Sequence, residues 1–440
     1  MEDLFKQFGG SDAIQNLLGG GIAGMGDSQE NDEEELDEFE LMENIKVTYE
    51  CFIQNTLSST SHSVQWLPCK REDPENPQFN IQSFLLGTHY NEDHGDMFGN
   101  DSIYIAEMRV PKIQKNQKSV IDYTKLSNDH SKLKIVKEFN HQGEVNKTRA
   151  MKQDWHVIAS LGNTGDIYIY HHDRTSENKV QTDFTVLSGL EDEGFGMSWN
   201  PNQRGVLAAA TGTTICIWNV EEQKEGNQLL KIQQAHEDTI NDIKFSNINP
   251  HLFGTAADDG HYKLWDMRTP NQFTHCYKAS EDDLFVISFN QHNDFLFATG
   301  GEKTGALHVW DLRMPKYFIN DLNFHKDQVN QIEWSPHSED LFISSSSDGK
   351  VFLWDHSKTG EEQARHDYED GPPELLFPHE MHQKDNIEDI CWSPHQDEEH
   401  FIVSCSTNYQ MQVWKMSPDF LFNEMDYYDQ IESIQDMEVE

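Results

Sequence analysis

Basic side chains are scarce in this chain: 33 Lys and Arg stand against 77 Asp and Glu, a formal net charge of −44 over 440 residues. Such a surface repels phosphate backbones, which argues against direct nucleic-acid binding, and it draws basic proteins in by steering that salt weakens. Cysteine is also sparse. The six residues, at 51, 69, 216, 276, 391 and 405, form no CxxC pair, so neither a disulfide framework nor a zinc site is expected, and a reducing compartment is. No run of about 20 apolar residues occurs, hence no membrane span is expected, and Met1-Glu2-Asp3 has the wrong charge to open a signal peptide. HExxH, GxSxG and GxxxxGK[ST] are missing, so the chain reads as a non-enzyme with no catalytic residue, cofactor or metal ligand.

What the chain does have is a repeat. Ile217-Trp218, Leu264-Trp265, Val309-Trp310, Leu353-Trp354 and Val413-Trp414 close five apolar strands, at steps of 47, 45, 44 and 60 residues. That period belongs to β-propellers of four-stranded blades, scaffolds for binding before catalysis. In two units a His precedes an Asp by 23 residues and the Asp precedes the Trp by 6: His236, Asp259, Trp265 and His325, Asp348, Trp354. Short strands bounded by Pro, Gly and Asp turns fill each unit. Gly212, Thr304 and Asn408 stand where the Asp is missing, and those blades are expected to lean on apolar packing. Two degenerate units, one ending in Tyr170 and one built from Val64-Gln65-Trp66, Ile81–Gly87 and Ile103–Met108, raise the count to seven.

The ends and one insertion depart from the repeat. Residues 1–30 are Gly-rich and not expected to pack. Residues 31–50 read as an acidic helix, with Leu36 and Phe39 forming a narrow apolar stripe. The propeller takes 51–418, and 419–440 is an acidic tail without Lys or Arg. The 60-residue step carries an excess at 356–378, where Glu369-Asp370-Gly371-Pro372-Pro373-Glu374 leads into Leu375-Leu376-Phe377. Acids, a rigid Pro-Pro and three apolar residues in one inter-blade loop suit a binding lip better than a spacer. The expected fold is all-β: a seven-bladed propeller with an N-terminal α-helix and an acidic inter-blade loop.

The His, Asp and Trp units resemble WD-repeat proteins, whose triad is hydrogen-bonded within a blade; His236, His325 and Asp348 are therefore assigned to structure. The loop sharpens the resemblance. Thr359-Gly360-Glu361-Glu362-Gln363 with Glu369–Phe377, Gln65-Trp66-Leu67-Pro68, Gly143-Glu144-Val145-Asn146 and Glu193-Gly194-Phe195-Gly196-Met197-Ser198-Trp199 are similar to the histone-binding WD-repeat family, the retinoblastoma-binding proteins or small subunit of chromatin assembly factor. The resemblance implies a histone chaperone scaffold. A core-histone helix would lie between the N-terminal helix (Leu36, Phe39) and the loop, with Glu369 and Asp370 pairing to histone bases and Leu375, Leu376 and Phe377 forming the floor or anchoring the loop. An extended basic peptide would bind the central-channel mouth at Glu144, Asn146, Glu193, Phe195 and Asp258. Asn241, Asn330 and Thr407 depart there from the acid, the aromatic and the acid of the family, which should weaken that grip.

The partners so implied are core histones of the nucleosomal tetramer and larger subunits of chromatin assembly, acetyltransferase, deacetylase or methyltransferase complexes, joined by a monomer in the nucleus and also the cytoplasm. Two other readings stay open. Trp265-Asp266-Met267-Arg268 and Trp310-Asp311-Leu312-Arg313 resemble the boxes by which substrate receptors engage cullin-type ubiquitin ligases, through Arg268 and Arg313. Glutamate-rich WD-repeat chaperones of ribosome assembly are similarly acidic.

Overall fold

The computed structural model describes residues 45, 47–89, 101–113, 132–172, 180–222, 228–270, 272–301, 305–363, 371–382 and 385–418. Their strands form seven sheets, six of four strands and one of five, the blade number the repeat requires. Blade I holds Thr60–Glu72, Phe79–His89, Ser102–Pro111 and Lys134–Asn140, with Val180–Gln181 added in parallel outside the last. Blade II holds Val145–Met151, Asp154–Gly162, Ile167–His171 and Thr185–Leu187. Blades III to VI run in sequence from Gly196 to Ile232, Ile240 to Lys278, Leu284 to Asp321 and Val329 to His379.

Blade VII is closed by a strand from the other end of the chain. Tyr49–Thr56 pairs antiparallel with Gln410–Met416, placing Phe52 opposite Trp414 and Ile53 opposite Val413. The helix expected to reach residue 50 therefore stops earlier: Ile45, Val47 and Thr48 are helical, and Tyr49 begins a strand whose burial alternates with period two. Leu36 and Phe39 lie outside the described residues.

The tryptophans are buried between blades, each with on the order of 150–250 Å² to hide. Their indole N–H groups need partners there, and the repeat supplies them. Trp265 Nε1 donates to Thr255 Oγ1 at 3.0 Å, which meets His236 Nε2 at 2.7 Å while His236 Nδ1 meets Asp259 at 2.9 Å. Blade VI repeats this with Trp354, Ser344, His325 and Asp348 at 2.8, 2.7 and 3.0 Å. In blade VII Asn408 replaces the Asp, yet Trp414 and His382 still share Ser404 Oγ, at 3.3 and 2.7 Å. That blade keeps more of the polar device than its sequence suggests. In blade III Ala209 stands where Ser344 stands in blade VI, and Trp218 packs with Leu207, Ala209 and Cys216. Thr304 lies outside the described residues.

Adjacent blades are stitched at one end of the ring by the turns after the inner strands. Side-chain donors reach the next blade's carbonyls from Gln153 to Asn200, Asn202 to Asn247, Asn247 to Phe289, Gln291 to Trp334 and His337 to Ser393, at 2.8 to 3.1 Å. A ring fixed this way holds the opposite end in constant register, and that end carries the candidate site.

Candidate functional site

At the opposite end the inner strands begin, and six of them bulge, that of blade I between Thr60 and Ser63 and five more by a single residue each. Register shifts fall between Val145 and Lys147, Ile240 and Asp242, Leu284 and Val286, Val329 and Gln331, and Ile387 and Asp389. A bulge adds one residue and re-aims it; the added residues are Asn146, Asn241, Phe285, Asn330 and Glu388. The three asparagines do the same thing. Asn146 Nδ2 donates to Gly194 O at 3.2 Å, Asn241 Nδ2 to Leu284 O at 3.1 Å, and Asn330 Nδ2 to Ile387 O at 3.0 Å, each crossing to the next blade. At Asn241 and Asn330 the amides thus serve as inter-blade staples.

The structure brings the expected mouth residues to this rim. Asn146 also donates to Glu193 Oε1 at 2.8 Å, and Asn241 donates to Asp258 Oδ1. Phe195, the residue before the inner strand Gly196–Trp199, is 48% exposed. Glu144 is half-buried, its backbone N–H on Asn163 Oδ1 at 3.3 Å. Glu388 adds a carboxylate that meets His62 Nδ1 at 3.1 Å. An ionised carboxylate has about four acceptor positions. Glu193, oriented by the Asn146 amide at one oxygen, thus has acceptor capacity beyond that bond.

Below the rim lies a charged throat that sequence reasoning missed. Asp389, fully buried, receives the Val64 N–H at 2.8 Å, Arg149 at 2.8 Å, Gln331 Nε2 at 3.0 Å and Lys147 at 3.4 Å. Burial alone would raise the Asp389 carboxyl, but Arg149 and Lys147 hold it below the ordinary carboxylate range. Burial lowers Lys147 to about 8 against the pull of Asp389. Glu333 accepts the Trp392 N–H at 3.1 Å, and burial raises its carboxyl to about 7. Asp242 pairs with Lys244 at 3.1 Å and takes the Ile287 N–H at 3.3 Å. The available signal was the recurrence of Lys, Arg, Asp and Glu at the third and fifth positions of the inner strands, where a buried strand should read apolar.

The second candidate surface is the base of the 356–378 loop. Gln363 Nε2 donates to Gly371 O at 3.1 Å, which ties the two ends of segment 364–370 together. Gly371 has φ +125, and a Cβ there would lie 2.7 Å from Leu375 Cδ2, so this position requires glycine. Leu375 faces Trp354 and Phe377 faces Leu353; Leu376 between them is the extra residue of a bulge. The three apolar residues therefore part company. Leu375 packs on the cluster between blades V and VI, beside Phe324. Phe377 is fully buried between Tyr49 and Trp414, ring centroids 5.4 and 5.9 Å away, so it anchors the loop and cannot form a groove floor. Leu376 is half-buried with Ile45, Phe52 and Met381 on one apolar cluster. The residues preceding the closing strand and the exit of the loop thus meet. His379 fixes them from beneath, stacked on Trp414 at 4.1 Å and bonded to Tyr49 Oη at 2.9 Å. Glu369 and Asp370 lie outside the described residues.

Arg268 and Arg313 are exposed, and each forks onto the aspartate of its own box. Arg268 reaches Asp266 at 2.9 and 2.6 Å, and Arg313 reaches Asp311 at 2.9 and 2.5 Å. The arginines cap their own turns.

Comparison with known families agrees with this architecture. Residues 126–396, more than half of the chain, match the model of the nucleolar protein 10-like N-terminal domain, a β-propeller. Residues 37–112 match the model of the histone-binding protein RBBP4, which also describes a component of the CAF1 complex. This second match takes in the closing strand Tyr49–Thr56 and three strands of blade I. The chain thus belongs to the β-propellers of the nucleolar protein 10-like kind, and with its N-terminal match to the histone-binding module it is consistent with a divergent histone-binding WD-repeat protein.

Proposed function

We propose that the protein is a nuclear histone-binding scaffold, a subunit that presents core histones to chromatin assembly or chromatin-modifying complexes. The observation that carries this reading is the apolar cluster formed by Ile45, Phe52, Leu376 and Met381, at the meeting of the loop's exit with the segment matched to the RBBP4 module. A histone helix laid there would rest its apolar face on Leu376, with Glu369 and Asp370 of the loop orienting its basic residues. A basic histone tail would lie across the mouth at Glu144, Glu193, Asp258 and Phe195. Apolar anchors supply most of such an affinity, and the charge pairs supply orientation and on-rate.

The test is calorimetry of purified core-histone pairs at moderate salt, comparing the intact chain with Glu369→Lys/Asp370→Lys. Binding abolished in the double variant supports the groove. Equal binding by both would mean that the acidic ends act nonspecifically and would reject the groove.

The nucleolar protein 10-like match favours a second reading, a nucleolar chaperone of ribosome assembly. Purification with ribosomal protein in place of histone would favour it. The ligase-receptor reading has less support, since each box arginine is already spent on its own aspartate.

A further inference from the structure

Blade V presents an edge that the histone reading does not use. Phe318–Asp321 is the outermost strand of its sheet, paired on one side with Leu307–Asp311 and, among the described residues, with no strand on the other. Blade I shows that this fold has room for one more strand at such a place, since Val180–Gln181 adds outside Lys134–Asn140. Around the free edge of blade V the side chains are apolar and exposed: Met314, Tyr317, Phe318 and Ile319 are 60, 63, 47 and 36% accessible. An edge of this kind is ordinarily blunted by charge or covered. Two opposite charges bound it here. Lys316 stands two residues before the strand, exposed and without an ion pair among the described residues, its amine over the Tyr317 ring at 5.5 Å. Asp321 ends the strand, 44% exposed, and offers only Oδ1 to His308 Nε2, at 3.3 Å, which leaves Oδ2 for another cation.

The two charges are placed symmetrically about Phe318 and Ile319, so the segment is complementary to itself. Turned end for end, it sets Lys316 against Asp321, Phe318 against Ile319 and Asp321 against Lys316. The bulge in this strand makes that register workable. In a regular strand a two-fold axis between neighbouring residues would bring side chains of opposite faces together. Here Ile319 is the extra residue of a bulge, Phe318 faces Trp310 and Asp321 faces His308, so the two lie on one face although three residues apart. Asn320 turns to the other face, where its amide donates to Thr359 of blade VI. We infer that this protein pairs with a second copy of itself through this edge, the two Phe318–Asp321 strands antiparallel about a two-fold axis level with the Phe318–Ile319 bond. Each dimer then holds two Lys316–Asp321 pairs between copies, and the exposed apolar side chains cover one another. Long-range charge agrees with the placement. Two chains of net charge −44 repel wherever acids face each other, and Leu312–Asn320, nine residues without an acid in a chain that has 77, is where they approach at least cost. One strand pair is small beside the roughly 1,200–2,000 Å² of a stable interface, so the dimer is weak, with a Kd on the order of 10 μM. This departs from the monomer that the family resemblance implies.

The experiment is sedimentation velocity on the intact chain at about 0.15 M salt, over protein concentrations of about 1–100 μM. The parent is expected to pass from monomer to dimer across that range. Lys316→Asp and Asp321→Lys each set like charges against each other twice per dimer, and each alone is expected to raise the Kd about tenfold or more. In an equimolar mixture the two substitutions complement each other, and a dimer holding one copy of each is expected at close to the parent's affinity. A parent that stays monomeric throughout, a single variant that dimerises as the parent does, or a mixture that stays monomeric would each overturn the inference. Recovery in the mixture cannot come from misfolded chains, and far-UV circular dichroism of each variant establishes that these exposed substitutions leave the fold intact. No histone enters the measurement, so its outcome is independent of the histone-binding reading.

Discussion

Replacing Glu333 with glutamine separates the electrostatics of the throat from its packing, because the amide keeps an acceptor for the Trp392 N–H and nearly the same volume. Burial lifts the Glu333 carboxyl from 4.5 to about 7. The folded chain therefore holds this proton more tightly than the unfolded one. The stability it contributes is complete below about pH 4.5 and is lost as the pH climbs through about 7. A displacement of that size is worth about 3 kcal/mol, of which roughly 2 kcal/mol falls between about pH 5.5 and about pH 8. Urea unfolding followed by tryptophan fluorescence at both pH values reads it directly. The parent is expected to lose about 2 kcal/mol more than Glu333→Gln over that interval, with the variant the more stable protein at the upper end. The other throat groups are common to both proteins, so the difference isolates this one carboxyl to first order. Equal losses in the two proteins would refute the reasoning and mean that water solvates Glu333 in the folded ring.

Trp354→Phe removes the indole donor from Ser344 and should cost about 1–3 kcal/mol in chemical denaturation, more than Trp218→Phe, whose blade offers Ala209 at the corresponding position. Phe377→Ala should cost about 3–5 kcal/mol because it opens a cavity beside Tyr49 and Trp414, and histone affinity measured on the folded fraction should be spared. Leu376→Asp should do the reverse, changing stability by less than about 1 kcal/mol while calorimetry records about a tenfold or greater loss of histone-helix affinity. Asn330→Asp replaces the donor to Ile387 O with a carboxylate and should lower stability by about 1–3 kcal/mol near neutral pH; no loss would show that the staple is dispensable.

The blades were legible because their signals are local. A strand, a turn and a tryptophan recur within one unit, and the 60-residue step points to the loop by its excess alone. Three features were hidden, each for a physical reason. The pairing of Tyr49–Thr56 with Gln410–Met416 joins opposite ends of the chain, and alternation marks a strand without naming its neighbour. Blade VII looked depleted because Asn408 breaks the His, Asp and Trp spacing, yet its hydrogen bonds to Trp414 and His382 run through the Ser404 hydroxyl. Asn241 and Asn330 read as lost binding groups because the sequence does not display bulges. Once re-aimed, their amides are donors to the next blade.

The throat also decides how deep a basic peptide could go. Its charges are three acids, Asp242, Glu333 and Asp389, and three bases, Lys147, Arg149 and Lys244. Asp389 already holds four donors. A guanidinium entering from the mouth would have to displace one of them, leaving either a buried neutral donor unsatisfied, at about 1–3 kcal/mol, or a buried cation without its partner, at about 3–5 kcal/mol. At the rim the balance reverses, since Glu193 accepts the Asn146 amide at one oxygen and retains acceptor capacity. Phe195, two residues on from Glu193, offers an exposed ring face for the stem of a lysine or the plane of an arginine. The same ring thus favours a peptide that lies across its mouth and opposes one that threads its axis.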